Sequence, residues 1–321
     1  RVTGKSISEI NGLIRANGAA NLFLINPNGI VFGENAKLDI GGSFVGSTAD
    51  SFKFGDGKEF SAINPEDKPL LSVNVPLGLQ YGKNPGNIEI KGKGDTQRNT
   101  PEIFEPKSGL QVPLDKTLAI LGGDILLEGA TLKAGGGRIE LASVKEGLVS
   151  ILPVEKGFNF GFDNLGNFGE IKLSQNTAVD ASGNSAGNVR VTGINIAITD
   201  SSVISSTQTG IEKGAGIIIN ATEDVDIYGL NDTFISSGLY TNNVSDNLAE
   251  ETSNIVIDTQ QLKVRDGATI STNSLSDGQG GNINIKASNF IVERGALVSA
   301  IASSSGNSGN LLPLPESITC L

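Results

Sequence analysis

The chain has 321 residues, 38% of them hydrophobic, enough for a continuous core and too apolar for wholesale disorder. Lys and Arg number 24 against 35 Asp and Glu, a net charge of −11 with no basic stripe, which argues against nucleic-acid binding. His is absent, so the commonest general base and metal ligand is missing, and neither a metal nor a cofactor is expected.

Aromatic residues make up only 5% and Trp is absent, so the core must be built from Val, Ile and Leu. Gly numbers 42 without a Gly-X-Y period, which fits many tight turns between short strands and excludes collagen. Cys320 is the single cysteine, so no intramolecular disulfide can form. No run approaches the ~18 apolar residues of a membrane span.

The chain opens on Arg1-Val2-Thr3-Gly4, which reads as the middle of a strand and suggests a fragment lacking its signal peptide. Ser6-Ile7-Ser8-Glu9 has the form of a helix capping box, but Gly12 limits any helix to a turn or two. Asn21–Ile25 is a strongly apolar strand running into Asn26-Pro27-Asn28-Gly29. Pro27 presets φ for the second turn position, and Asn28 and Gly29 tolerate positive φ. Ile30-Val31-Phe32 resumes the strand, followed by Leu38-Asp39-Ile40 and Gly41-Gly42-Ser43-Phe44-Val45.

From residue 187 onward the sequence repeats. Gly187-Asn188-Val189-Arg190-Val191, Ala215-Gly216-Ile217-Ile218-Ile219, Ser253-Asn254-Ile255-Val256-Ile257, Gly281-Asn282-Ile283-Asn284-Ile285 and Gly309-Asn310-Leu311 share one pattern. Their second residues stand 28, 38, 28 and 28 apart, one period being ten residues longer, with the excess expected as a loop in Thr241–Thr252. Leu262 and Val264 recur as Phe290 and Val292 and as Ile196 and Ile198; Ile270 recurs as Val298 and Ile204. Each period therefore predicts about three alternating strands of three to five residues. Such strands bury their apolar sides only by stacking coil on coil, each adding ~4.8 Å. Helical repeats would need 3.6-periodic runs of ten or more residues, and none occurs. The reading is all-β: a single-stranded right-handed parallel β-helix of the pectin-lyase-like solenoid type.

Asn254, Asn282 and Asn310 share one coil position. Either their amides form a hydrogen-bonded ladder between coils, or asparagine merely suits the turn there. Beyond Asn310, Leu311-Leu312-Pro313-Leu314-Pro315 breaks the alternation, and residues 313–321 are expected to be an irregular tail.

VTG at residues 2–4 and SEINGLIRANGAANLFLINPNGIVFGENAKLDIGGSFVGSTA at residues 8–49 resemble the secretion domain of two-partner secretion exoproteins, the filamentous haemagglutinin family. GLQVPLDKTLAILGGDILLEGATLKAGGGRIELASV (109–144) and NFGEIKLSQNTAVDASG (167–183) resemble the same family. The resemblance implies a β-helical secretion domain with small extra-helical elements, over residues 1–175, followed by β-helix repeats over 176–312. It implies an outer-membrane β-barrel transporter of the TpsB type, with periplasmic transport-associated domains, as partner. It further implies a secreted or surface-exposed adhesin, with a host or neighbouring-cell receptor or glycan as target. In the family the asparagine-rich turn supports secretion, which by position falls on Asn26, Pro27, Asn28 and Gly29. Whether these residues touch the transporter or only shape the turn stays open.

Two other readings stand beside this one. β-Helices include polysaccharide-active enzymes, which need carboxylates clustered on one face. Asp180, Asp200, Asp226, Asp258 and Asp266 do not recur at one coil position, so they are expected to be solvated turn residues and the chain no enzyme. The third reading is a structural stalk for an effector lying beyond Leu321.

Overall fold

The computed structural model describes residues 1–64, 76–94, 108–163, 165–212, 214–230, 236–245, 252–275, 277–303, 305–313 and 317–320. These residues contain strands and no helix. The strands stack in parallel into a β-helix with three faces.

The first face runs through Leu22–Ile25, Phe44–Ser47, Thr117–Gly122 and Arg138–Ser143, then the first halves of Asn188–Ile198, Gly216–Tyr228, Ile255–Arg265 and Ile283–Glu293, and ends on Leu311–Pro313. The second runs through Ser8–Ile10, Ile30–Phe32, Ile88–Lys91, Ile125–Glu128 and Ile171–Ser174, then the second halves of the same long strands, to Ser317–Cys320. The third runs from Leu110–Gln111 through Thr131–Lys133, Ala178–Asp180, Val203–Gln208, Gly238–Asn243 and Thr269–Ser274 to Leu297–Ala302.

The predicted repeat register is the observed one. Ile196, Val225, Leu262 and Phe290 stack in one column, and Ile204, Leu239, Ile270 and Val298 in another. All but the terminal Val298 are buried. Each such side chain contributes roughly 1.5–3 kcal/mol on leaving water.

Four expectations are corrected. The capping-box residues Ser8 and Glu9 lie in the strand Ser8–Ile10, whose backbone pairs with Ile30–Phe32 and leaves no donors for a helical turn. The first two strands of each period form one bent strand of eleven residues or more. In Ile255–Arg265 the buried positions switch from Ile255 and Ile257 to Leu262 and Val264, and this change of parity turns the corner between faces. The ten extra residues are distributed. Val225 to Leu239 spans 14 residues where Leu262 to Ile270 spans eight, so most of the excess precedes Leu239, outside Thr241–Thr252. A bulge in Gly216–Tyr228 takes one more, leaving three for the stretch after Leu239. Finally, the tail keeps the coil: Leu311–Pro313 and Ser317–Cys320 both pair with Ile283–Glu293. Pro313 is tolerated because it closes a short strand at the sheet edge.

A separate five-stranded antiparallel sheet lies outside the coil, in the order Gly157–Gly161, Gly147–Val154, Gly78–Tyr81, Ser51–Lys53 and Glu59–Ser61. Its Phe52, Leu79, Tyr81, Val149, Ile151, Phe158 and Phe160 form a second core with Val45, Ala119, Leu121 and Ala142, the outward residues of the first face. This explains why Thr117–Gly122 is buried on both sides. Tyr81 is held by Ser47, 2.7 Å away, and donates to the Leu121 carbonyl at 3.0 Å; burial raises its phenol above the ordinary range.

Candidate functional site: the Asn26–Gly29 turn and its coil-to-coil bonds

The turn follows from its own residues. Gly29 N–H donates to the Asn26 carbonyl at 3.1 Å, closing a four-residue turn, and Gly29 alone in it has positive φ, 122°. Asn26 is fully buried. Its Nδ2 donates to the Ser6 carbonyl at 3.0 Å and to Ser8 Oγ at 2.8 Å. Its Oδ1 accepts the main-chain N–H of Asn28 at 3.1 Å and Asn28 Nδ2 at 3.0 Å. Asn28 is exposed, yet its Nδ2 also donates to the Gly4 carbonyl at 2.8 Å. On the other side the Pro27 carbonyl accepts the Gly86 N–H at 2.8 Å. A Cβ on Gly86 would lie 2.3 Å from the backbone of Asn28 and Gly29, so only glycine permits this contact. The turn is thus clamped between the coils before and after it.

Asn254, Asn282 and Asn310 are joined coil to coil. Asn254 Oδ1 accepts the Asn282 main-chain N–H at 2.7 Å and its Nδ2 at 3.3 Å. Asn282 Oδ1 accepts the same two groups of Asn310 at 2.9 and 3.2 Å. The same device recurs where sequence reasoning missed it. Asn87 Oδ1 accepts the Asp124 N–H at 2.9 Å, and Asp124 Oδ1 accepts the Glu170 N–H at 3.0 Å, in the column that begins above Gly29. Irregular spacing of the N-terminal coils hid it.

A hydroxyl column was missed too. Ser206 donates to the Gly187 carbonyl at 2.7 Å, Thr241 to Ser253 at 2.8 Å and Thr272 to Gly281 at 2.7 Å. These carbonyls immediately precede positions 188, 254 and 282. The available signal was a hydroxyl 18 residues after Asn188 and after Asn254.

The five carboxylates do not converge. Asp180 is buried, accepts Lys133 Nζ at 2.7 Å, and binds Ser182 and Ser205. It is therefore no solvated turn residue, because the third face encloses it. Asp226 takes a bidentate Arg265, which also reaches Asp266; Arg294 holds Asp266 in turn and keeps its carboxyl below the ordinary range. Asp258 pairs with Lys286 at 2.9 Å, and Asp200 accepts the Thr199 hydroxyl at 3.1 Å. Among the described residues no group of three or more acidic or cysteine side chains could hold a metal ion. No helix there is long and apolar enough to cross a membrane.

One further carboxylate ties the outer sheet to the coil. Glu140 is fully buried and pairs with Arg190 at 2.6 Å, while Arg190 also donates to the Phe160 carbonyl in the outer sheet. Burial, opposed by Arg190 and Arg138, pushes the Glu140 carboxyl up to about 7.

The chain is thus a parallel β-helix whose N-terminal coils carry an outer antiparallel sheet and an interlocked asparagine turn. Residues 1–191 match the TPS secretion domain, and the chain belongs to that family. It is a two-partner secretion exoprotein, exported across the outer membrane with a TpsB-type transporter as partner. No curated protein and no solved structure matched the chain.

Proposed function

We propose that residues 1–175 form the part recognised for export and that the coils of residues 176–312 form the shaft of an adhesin-like, non-enzymatic surface fibre. The coil is taken as right-handed, the sense of about 98% of parallel crossovers. Asn26, Pro27, Asn28 and Gly29 serve export by letting the domain fold, not by touching the transporter. The observation that carries this is the complete burial of Asn26, with its amide bonded to both Ser6 and Ser8. Folding at the cell surface then opposes return of the chain, since each coil completed outside lays its donors and acceptors on the one before.

The test is export of Asn26→Ala and Asn28→Ala chains by a cell carrying the transporter, beside the stability of the same purified variants. Export that falls in step with stability supports the reading. A folded, fully stable Asn28→Ala chain that is not exported points instead to direct contact.

A further inference from the structure

A groove of about 870 Å³ opens where the outer sheet ends against the coil. Phe162, Phe168 and Asn159 come from the outer sheet side. The coil supplies Thr192, Asn220, Asp258 and Lys286, one outward residue from each of four successive coils in register. Three inter-coil steps make this row about 14 Å long.

We propose that this groove binds a neutral oligosaccharide lying along the fibre axis. Three observations carry it. First, Thr192 is nine-tenths buried and its hydroxyl has no hydrogen-bond partner among the described residues, and Asn159 Oδ1 is likewise buried without one there. Buried polar atoms are normally hydrogen-bonded, so two unpartnered oxygens on one groove can be completed by hydroxyl groups from outside the chain, a sugar's among them. Second, the charges cancel locally. The lining holds two cations, Arg190 and Lys286, and two carboxylates, Asp163 and Asp258, so nothing selects an anionic chain. The half-buried rings of Phe162 and Phe168, set edge to face at 6.3 Å, add an aromatic wall for the apolar side of a sugar ring. Third, an extended peptide is disfavoured because the neighbouring strand edge is closed. Thr117 Oγ1 accepts the Phe158 N–H at 3.0 Å, and Arg190 occupies the Phe160 carbonyl.

This deepens the surface-fibre reading by naming the chemistry of its target, and it is separable from the export reading. The chain contains no Trp, so Phe162→Trp installs a single indole in the groove wall. The full chain carrying it is titrated with cellohexaose, maltohexaose, laminarihexaose, xylohexaose and a heparin hexasaccharide. Calorimetry of the unsubstituted chain runs alongside, in case the indole itself obstructs the groove. We expect saturable binding of at least one neutral hexasaccharide, weakened about tenfold or more by Thr192→Val with Asn220→Ala. No neutral sugar bound, binding of the heparin fragment alone, or binding indifferent to the double variant overturns the proposal. Export of the same variants is measured in parallel. Normal export without sugar binding removes this inference and leaves the secretion reading standing.

Discussion

Asn254 and Asn282 are bonded twice: one side-chain oxygen accepts both the main-chain and the side-chain N–H of the residue one coil on, at 2.7 and 3.3 Å. Asn282 does the same for Asn310. A turn residue that merely tolerated its φ would need neither bond. Asn282→Ala should therefore lower the unfolding free energy by about 1–2 kcal/mol, since it removes the acceptor for Asn310 on one side and the side-chain donor to Asn254 on the other. Equilibrium denaturation measures this; an unchanged midpoint would show that the ladder adds nothing.

The two asparagines of the turn should separate in effect. Asn26→Ala deletes four hydrogen bonds at a fully buried position and should cost about 2–3 kcal/mol. Asn28→Ala loses only bonds from an exposed amide and should cost about 1 kcal/mol or less. Gly86→Ala should exceed Asn28→Ala, because the added methyl must push Asn28 and Gly29 away. Melting temperatures of the three variants check the order.

Stability should fall as pH rises from about 5 to 7. Glu140 is lifted by burial to about 7 from its ordinary 4.5, so in this window the folded chain keeps a proton that the unfolded chain releases. The loss between pH 5 and pH 7 is about 2 kcal/mol. With no His in the chain few other groups titrate there. Glu140→Gln cannot ionise and should show a nearly flat profile over the same range. Urea denaturation at pH 5 and pH 7 compares the two, and equal slopes would exclude Glu140 as the cause.

Asp180→Ala should destabilise by about 3–5 kcal/mol, because it breaks a buried ion pair with Lys133 and removes the carboxylate that Ser182 and Ser205 bind. Adding Lys133→Met should recover part of that loss. A double variant no better than the single one would mean that Ser182 and Ser205, not the ion pair, account for the cost.

Much of the coil was legible because a stacked fold repeats itself in sequence. Ile196, Leu262 and Phe290 share a column since each coil must return its apolar residues to the same place. The asparagine positions were legible for the same reason. The clamp on the turn was not, for Ser6, which binds Asn26, and Gly86, which binds Pro27, lie at unequal distances along the chain and no period links them. The placement of the ten extra residues failed similarly. A polar stretch announces a loop, but only strand register says how many residues each corner must absorb.

The sequence by itself determined the all-β class, the 28-residue period, the aliphatic columns and the turn at Asn26–Gly29, because these depend on spacing and on local backbone chemistry. Only the tertiary structure decided which side chains were enclosed. Whether Asp180 met water, whether Glu140 could keep its charge and whether Thr192 found a partner depended on which coil or outer strand came to lie against them. Such neighbours are set by packing between segments far apart in the chain, which no local pattern records.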